Sequence, residues 1–574
     1  MKFRRTEAQS AARQFRLRGG VVLGALVLCG AAIVGRAVNL QVTKHGFLAE
    51  QGAERYMRNA RIPAHRGQVL DRFGEPLAVS TPVDTVWANP GQLAAAPEQL
   101  ARLARALNRD VEWLTRRLTS NLESQYLVLA KQLQPDDAAR IKALQIPGVY
   151  LAREYRRFYP AGEVTGHVLG FTGEADQGQE GLELEFEQKL SGEDGIKRVI
   201  QDRFGRVVEN VDSVRPPRPG EDLLTSLDLR IQYLAYRELK SAIREYQARA
   251  GSVIVVDVRT GEILAMVNQP SFNPNDRTQF EVARYRNRAA TDIFEPGSSI
   301  KPFFIATGLA SGKFRPGSVV DTNPGFIKVG VKVIEDEHNL GAVDLATILA
   351  KSSNVGMAHI ALALDKEAIW NTLTGLGFGQ VSATGFPGES AGLLTSYSHW
   401  RDLTVATLAH GYGMSVTPLQ LAQAYATLGA LGLRRPLTFR RADGPVPAEA
   451  VIDPQVCRDL IHLLETVVTS GTGTRAAVRG YRIAGKTGTA WKSSNGAYST
   501  DKYMAVFGGV VPAAAPRLAA VVVIDEPSGT KYYGGEVAAP VFSAVMAGAL
   551  RLLAVPPDDL NNVPSATLVQ AASR

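Results

Sequence analysis

The chain has 574 residues, 45% of them hydrophobic and 21% charged. That composition is globular, it excludes a disordered or fibrous chain, and the length allows two or more domains. The net charge is +8, but Lys2, Arg4, Arg5, Arg13, Arg16 and Arg18 stand against Glu7 alone in the first 18 residues, a local +5 that leaves +3 for the rest; no basic stripe remains to form a nucleic-acid footprint, and no nucleic-acid partner is expected.

Residues 1–18 form a basic tail that runs into an uncharged, mostly apolar stretch, Gly19 to Gly35, followed by Arg36 and Ala37–Leu40. About 20 apolar residues span a bilayer, and about 17 is the lower limit. Residues 19–40 are therefore expected to form one transmembrane helix. The basic flank precedes it, which keeps the N-terminus in the cytoplasm and exports the bulk of the chain. A cleaved signal peptide would share that flank, but no small-x-small cleavage site follows. Cys29 lies in the apolar stretch and Cys457 stands alone outside it, so no intramolecular disulfide is expected. The histidines show neither H-E-x-x-H nor paired Cys/His spacing, and no metal or other cofactor is expected.

Residues 41–220 read as a mixed N-terminal domain. Leu100, Leu103, Leu107 and Leu114 repeat on one side of a helix over Gln99–Leu118, and Gln134–Leu144 reads likewise. The segment R-P-P-R-P-G, residues 215–220, is a stiff boundary. The second domain, residues 221–555, opens with an amphipathic helix over Leu229–Ala250. Gly251–Val258 and Glu262–Asn268 form a hairpin around Arg259-Thr260-Gly261. Strands at Arg482–Trp491, Tyr503–Val511 and Leu518–Ile524 should join it, and Ala538–Leu553 should close the domain as a helix. The fold class is α+β, an antiparallel sheet with flanking helices. Residues 556–574, rich in Pro, Asn and Ser, read as a disordered tail.

Three short motifs fall in order within the second domain: Ser298-Ser299-Ile300-Lys301, Ser352-Ser353-Asn354 and Lys486-Thr487-Gly488-Thr489. A serine hydroxyl is a poor nucleophile and needs a nearby base. With a helix starting near Ser298, Lys301 shares its face one turn on. An amine takes a proton only when neutral, and burial or a neighbouring cation, for which Lys486 is the candidate, lowers a lysine pKa. Pro302 suits the helix start and Gly312 its stop. Ser352 and Asn354 can relay a proton and hold a substrate amide, and are expected in the loop that ends a helix over Leu345–Lys351. Lys486–Ala490 reads as a strand whose edge could pair with an extended peptide. Alternation puts Thr487 and Thr489 on one face and Lys486 on the other, so twist or a bulge is expected to bring the lysine to the same cleft. The backbone N–H groups of Ser298 and Thr489 are natural oxyanion donors if the strand lies beside the helix. His338, in E-D-E-H-N before the second motif, reads as a surface loop residue.

This ordered set resembles the penicillin-binding proteins and the related β-lactamases. R-G-Q-V-L-D-R-F-G from Arg66, R-F-Y-P from Arg157 and G-Q-E-G-L-E from Gly178 are similar to signatures of the class B, monofunctional branch. G-Y-G from Gly411 with T-P-L-Q from Thr417, and Y-Y-G-G from Tyr532 with A-A-P-V-F from Ala538, are similar to segments of its catalytic domain. The likeness runs from about Gly35 to about Leu553, and F-P-G-E-S-A-G from Phe386 looks most like the septal, cell-division type (the FtsI type). The resemblance implies a transpeptidase fold above an N-terminal pedestal or dimerisation-type domain, in the bacterial inner membrane with the catalytic domain in the periplasm. It implies D,D-transpeptidation of peptidoglycan stem peptides through Ser298, with Lys486, Thr487, Gly488 and Thr489 holding the terminal carboxylate. β-Lactams are implied as inhibitors, and a membrane-embedded glycan polymerase with other division proteins as partners.

Three alternatives are open at this point. An elongation-type class B enzyme would share every motif. A β-lactamase needs a water-activating glutamate, and no Glu-x-x-Leu-Asn segment follows the second motif. A penicillin-sensing receptor needs a signalling domain, for which a short basic tail leaves no room.

Overall fold

The computed structural model describes residues 3–46, 57–201, 207–276, 278, 281–494 and 497–559. The end of the expected tail, residues 560–574, lies outside the described residues. The chain divides into two compact units. One comprises Met1–Ala64, Val83–Glu154 and Glu193–Arg218, the other His65–Pro82, Tyr155–Gly192 and Pro219–Arg574. The last crossing falls within the proline-rich segment 215–220.

The first unit begins with α1 (Phe3–Val38). The stretch Phe15–Thr43 is long and apolar enough to cross a membrane, with mean hydropathy 2.3 and no part of it buried in the protein. The same unit holds a small core of Val86, Leu93, Leu103, Leu114, Leu118, Leu129 and Ile141. The single helix expected over Gln99–Leu118 is two, Leu100–Ala106 and Val111–Thr119. Asn108 takes a left-handed φ of 52° between them, a conformation asparagine tolerates, and Asp110 is extended before the second helix starts. The expected helix over Gln134–Leu144 spans Pro135–Ala143. Strands Met57–Ile62, Gly195–Gln201 and Val207–Arg215 form an antiparallel sheet of their own.

In the second unit, three of the N-terminal signature segments meet in one buried ion network. Glu183, with no exposed surface, accepts from Arg66 Nε at 2.8 Å and from Arg157 Nε at 2.6 Å. Arg66 also donates to the Glu183 carbonyl at 2.9 Å and pairs with Glu187 at 2.7 Å, and Arg157 donates to the Gly67 carbonyl at 2.8 Å.

The large sheet follows in chain order. Helix α2 (Leu229–Glu245) is capped by Asp228, whose side chain accepts from Arg230 N. It ends five residues before the expected Ala250, because Gln247 turns left-handed at φ 48° to feed the first strand. Strands β1 (Ala250–Asp257) and β2 (Ile263–Gln269) form the expected hairpin. Helices α3 (Lys301–Ala310), α4 (Leu345–Lys351), α5 (Asn354–Ala363), α6 (Pro418–Gly429) and α7 (Pro454–Thr469) come next. Strands β3 (Ala484–Ser494), β4 (Ala497–Val511) and β5 (Leu518–Asp525) and helix α8 (Ala539–Leu552) complete the unit.

The strand order is β2-β1-β5-β4-β3, all antiparallel, with β3 at an edge. Strands β1 and β5 are buried at every residue, so their side chains alternate between two cores. Ile254, Val256, Val521 and Val523 face a core that includes Phe303, Tyr425 and Leu464 from α3, α6 and α7. Val253, Val255, Val522 and Ile524 face Leu239 of α2 and Phe542 and Met546 of α8. Helices on both faces of an antiparallel sheet make this the expected α+β architecture.

Candidate active site

Ser298 does not lie in α3 itself. It sits in a 3₁₀ turn, Gly297–Ile300, that leads into α3 at Lys301, with Pro302 in the first turn as expected. Gly312, the expected stop, has φ 73° just beyond the helix. The turn is fixed from below: Tyr425 of α6 donates its hydroxyl proton to the Ser299 carbonyl at 2.9 Å. Ser298 is partly exposed, whereas Ser299, Ile300 and Lys301 are buried.

The second motif is a sharp reversal between two helices. Ser352 ends α4 with a left-handed φ of 61°, a strained conformation for a residue with a side chain. Ser353 then caps α5, its hydroxyl accepting from Gly356 N at 2.8 Å, and Asn354 is the first residue of α5 rather than a loop residue. The reversal turns the Ser352 carbonyl, the Ser353 carbonyl and the Asn354 side chain toward one amine. Lys301 Nζ donates to Ser352 O at 2.6 Å, Asn354 Oδ1 at 2.8 Å, Ser353 O at 3.2 Å and Ser352 Oγ at 3.3 Å.

The third motif occupies β3, and it reaches the site without a bulge. Its register with β4 is continuous from Ala484 to Trp491 and shifts only after that. Thr487 lies opposite Phe507, which faces the α2–α8 core, so Lys486 points to the other face, as alternation requires. Because β3 is an edge strand, the long side chain can fold round it. Lys486 Nζ donates to Ser352 Oγ at 3.0 Å and to Thr487 O and Oγ1, both at 3.2 Å. Ser352 Oγ therefore receives both lysines.

Glycine lets β3 lie against the nucleophile turn. A Cβ on Gly488 would stand 2.8 Å from Pro296 O and 3.2 Å from Ser299 Cβ. Ser298, Ser352, Asn354, Thr487 and Thr489 all line one cleft of about 630 Å³. Lys301 and Lys486 lie beneath its floor with no exposed surface. Burial and the neighbouring Lys486 hold the Lys301 amine well below the usual lysine range. Burial alone lowers Lys486 to about 7.

Two residues of the site were not singled out in the sequence. Asp336 accepts from Ser353 Oγ, from Asn354 N and from Val355 N, the last at 3.1 Å, so a carboxylate holds the start of α5 in place. Thr472 Oγ1 lies 2.7 Å from Thr487 Oγ1. Neither has a spacing signal, because each reaches the site through loop closure. His338 is exposed and lines the cleft. Among the described residues, no group of three or more His, Cys, Asp or Glu side chains is placed to hold a metal ion.

Comparison with known proteins accounts for both halves of the chain. The penicillin-binding protein transpeptidase domain matches residues 251–547, and the penicillin-binding protein dimerisation domain matches residues 61–225. The peptidoglycan D,D-transpeptidase FtsI of Escherichia coli K12 is 42% identical over 549 residues, covering 95% of this chain and 93% of that protein. The chain belongs to the class B penicillin-binding proteins, of the FtsI type. Among solved structures, the transpeptidase domain of penicillin-binding protein 3 from Burkholderia pseudomallei is 39% identical with a TM-score of 0.54, covering 58% of this chain and 97% of that one. Penicillin-binding protein 3 from Mycobacterium tuberculosis, complexed with aztreonam, is 26% identical with a TM-score of 0.68, covering 87% and 98%. In this penicillin-binding protein the class B signatures at Arg66, Arg157 and Glu183 are thus a structural lock, and the three motifs of the second domain form the cleft.

Proposed function

We propose that this penicillin-binding protein is a septal peptidoglycan D,D-transpeptidase that works through an acyl-enzyme on Ser298. The observation that carries the reading is the meeting of Ser298, the buried Lys301–Ser352–Lys486 cluster and the open edge at Thr489 in one cleft. Ser298 Oγ attacks the carbonyl of the D-Ala–D-Ala bond of a stem peptide, and its proton passes to neutral Lys301. The N–H groups of Ser298 and Thr489 hold the oxyanion. The C–N bond then breaks, and Ser352, bonded to both lysines, passes a proton to the departing D-alanine nitrogen. An amine from a neighbouring stem peptide next attacks the ester, forms the cross-link and returns the proton to Ser298. Water in place of that amine gives a carboxypeptidase side reaction. Lys486, Thr487, Gly488 and Thr489 receive the terminal carboxylate, and Asn354 orients Lys301 and the substrate amide. No cofactor enters this scheme.

The apolar stretch within Phe15–Thr43 anchors the protein in the inner membrane, with the catalytic unit on the periplasmic side. Glycan strands then come from a membrane-embedded polymerase among the other division proteins, met through the anchor and residues 41–220. Incubation with a labelled penicillin tests the chemistry. The adduct should map to the peptide containing Ser298 and persist for many minutes, and a stem-peptide analogue should release D-alanine. An adduct on another residue, or turnover near the median enzyme rate of about 10 per second, would overturn the reading.

A further inference from the structure

The open edge of β3 is shorter than its length suggests. Residues of one parity along a strand turn their N–H and C=O groups to the same side. The N–H of Trp491 leaves the sheet, since it donates at 3.1 Å to the hydroxyl of Tyr412. With no register shift between Ala484 and Trp491, Thr487 and Thr489 present their backbone groups to that same open side. The Thr487 carbonyl already receives Lys486 Nζ at 3.2 Å. The window left for an added strand is centred on Thr489 and closed at the Trp491 end by a side-chain oxygen. That oxygen occupies the place of the peptide carbonyl that would continue the ladder.

Tyr412 is rigidly mounted. On one side of it, Gly297 N donates to the Gly411 carbonyl at 3.2 Å. On the other, Gly413 N donates to Glu295 Oε1 at 2.8 Å. Both bonds tie its loop to the nucleophile turn. Gly411 has φ 85°, and a Cβ there would lie 2.0 Å from Gly297 O, so only glycine permits this approach. The Tyr412 ring meets Tyr498 edge-on at 5.3 Å and 87°, and His410 lies at 5.7 Å. The Tyr498 hydroxyl donates to Glu295 Oε1 at 3.1 Å, which joins the same clamp. A hydroxyl held this way is not free to swing aside when a peptide arrives.

We infer that Tyr412 is a specificity-determining residue that stops strand addition after one residue pair, so that the cleft reads the acyl donor's penultimate residue through Thr489 and makes no ladder bond to residues two or more positions upstream. The inference rests on the proposed use of this edge by an extended peptide donor. In that pairing, the residue carrying the scissile carbonyl exchanges its two backbone bonds with Thr489. The next pair would fall two residues upstream, opposite Trp491, where the Tyr412 hydroxyl already stands. Selectivity for the rest of the donor then comes from side-chain contacts and not from backbone pairing.

Two peptide boronic acids test this without requiring turnover. One is N-acetyl-D-boroalanine, and the other carries two further α-linked residues before the boroalanine. Against the full-length protein, the extension should improve the inhibition constant less than about twofold. Against Tyr412→Phe, which frees the Trp491 N–H, the longer compound alone should gain about three- to tenfold, the worth of one partly exposed hydrogen bond. Penicillin labelling of Ser298 in the variant reports that the site is still formed. An extension effect of tenfold or more in the wild type would overturn the inference, because the ladder then runs past Tyr412. So would an unchanged ratio in Tyr412→Phe, an equal loss for both compounds, or no inhibition by either. Failure of the transpeptidase reading would show separately, as absent D-alanine release from a stem-peptide analogue with the boronate ratio intact.

Discussion

Replacing Lys301 with methionine is expected to lower the second-order rate of β-lactam acylation by about 10³-fold, within the range a general base contributes. The amine is fully buried and makes its bonds to Ser352, Ser353 and Asn354. No other described amine shares Ser352 Oγ with it except Lys486. The pH profile carries the sharper test. A base works only when neutral, so acylation falls as pH drops through the titration of the lysine pair, which loses its protons in steps belonging to both groups. Burial and the charge of Lys486 hold Lys301 well below an ordinary lysine, so the acid limb should lie far below pH 10.5. Lys486→Ala removes the neighbouring cation, and the Lys301 pKa should rise. The limb then moves to higher pH, and the rate at neutral pH drops. Stopped-flow acylation across pH measures both effects. A Lys301→Met protein that keeps a tenth of the wild-type rate, or a limb that Lys486→Ala leaves in place, would remove the base assignment.

The parts of this site that were legible in the sequence share one property: each motif is a local segment whose neighbours fix its shape. Ser298 and Lys301 are one turn apart whatever surrounds them, and Gly485 and Gly488, on either side of Lys486-Thr487, mark a close backbone approach. What stayed hidden depends on long-range closure. Asp336 reaches Ser353 across the chain from a hairpin, and Tyr412 meets Trp491 from a loop 79 residues away. Alternation gives the face of Lys486. Of the two expected routes to the cleft the bulge is absent, since the register with β4 is continuous to Trp491, and the open edge of β3 lets a four-carbon side chain pass round the strand. The turn residues after Leu345–Lys351 point to a loop at Asn354. A serine followed by an apolar run is equally an N-cap, and the structure uses Ser353 that way.

The fold shows the same division. All five strands of the large sheet were recognisable, because β1 and β5 are continuous apolar runs and the others carry turn residues at their ends. The leucines over Gln99–Leu118 keep a single periodicity on either side of a break, so the pattern alone reads as one helix. The break comes from Asn108, Arg109 and Asp110, whose turn preference outweighs the leucine pattern. The interleaving of the two units was not visible at all. It arises where His65–Pro82 and Tyr155–Gly192 join residues after Pro219, and composition along the chain does not change at those points.

The N-terminal signatures gain their physical meaning from Glu183, and Glu183→Ala is expected to destabilise the protein by about 3–5 kcal/mol. The carboxylate has no exposed surface and serves two guanidinium groups that are themselves buried. Removing it leaves two positive charges in a low-dielectric interior; among the described residues Arg66 keeps its ion pair with Glu187, and the nearby Asp176 carboxyl, which both arginines influence, is itself pushed up to about 6 by burial. For a chain of 574 residues that loss corresponds to a fall of roughly 2–4 °C in the thermal midpoint. Glu183→Gln keeps one oxygen acceptor and should fall between the wild type and the alanine variant. The triple change Arg66→Met, Arg157→Met and Glu183→Leu removes all three charges together, and most of the lost stability should return, because paired burial contributes little net energy over apolar packing. Differential scanning calorimetry of the four proteins reads the series. At temperatures where the alanine variant stays folded, penicillin should still label Ser298, since among the described residues the network shares no hydrogen bond with the cleft. A Glu183→Ala midpoint within about 1 °C of wild type would mean that the two arginines find other partners, and that the signatures are kept for something other than this lock.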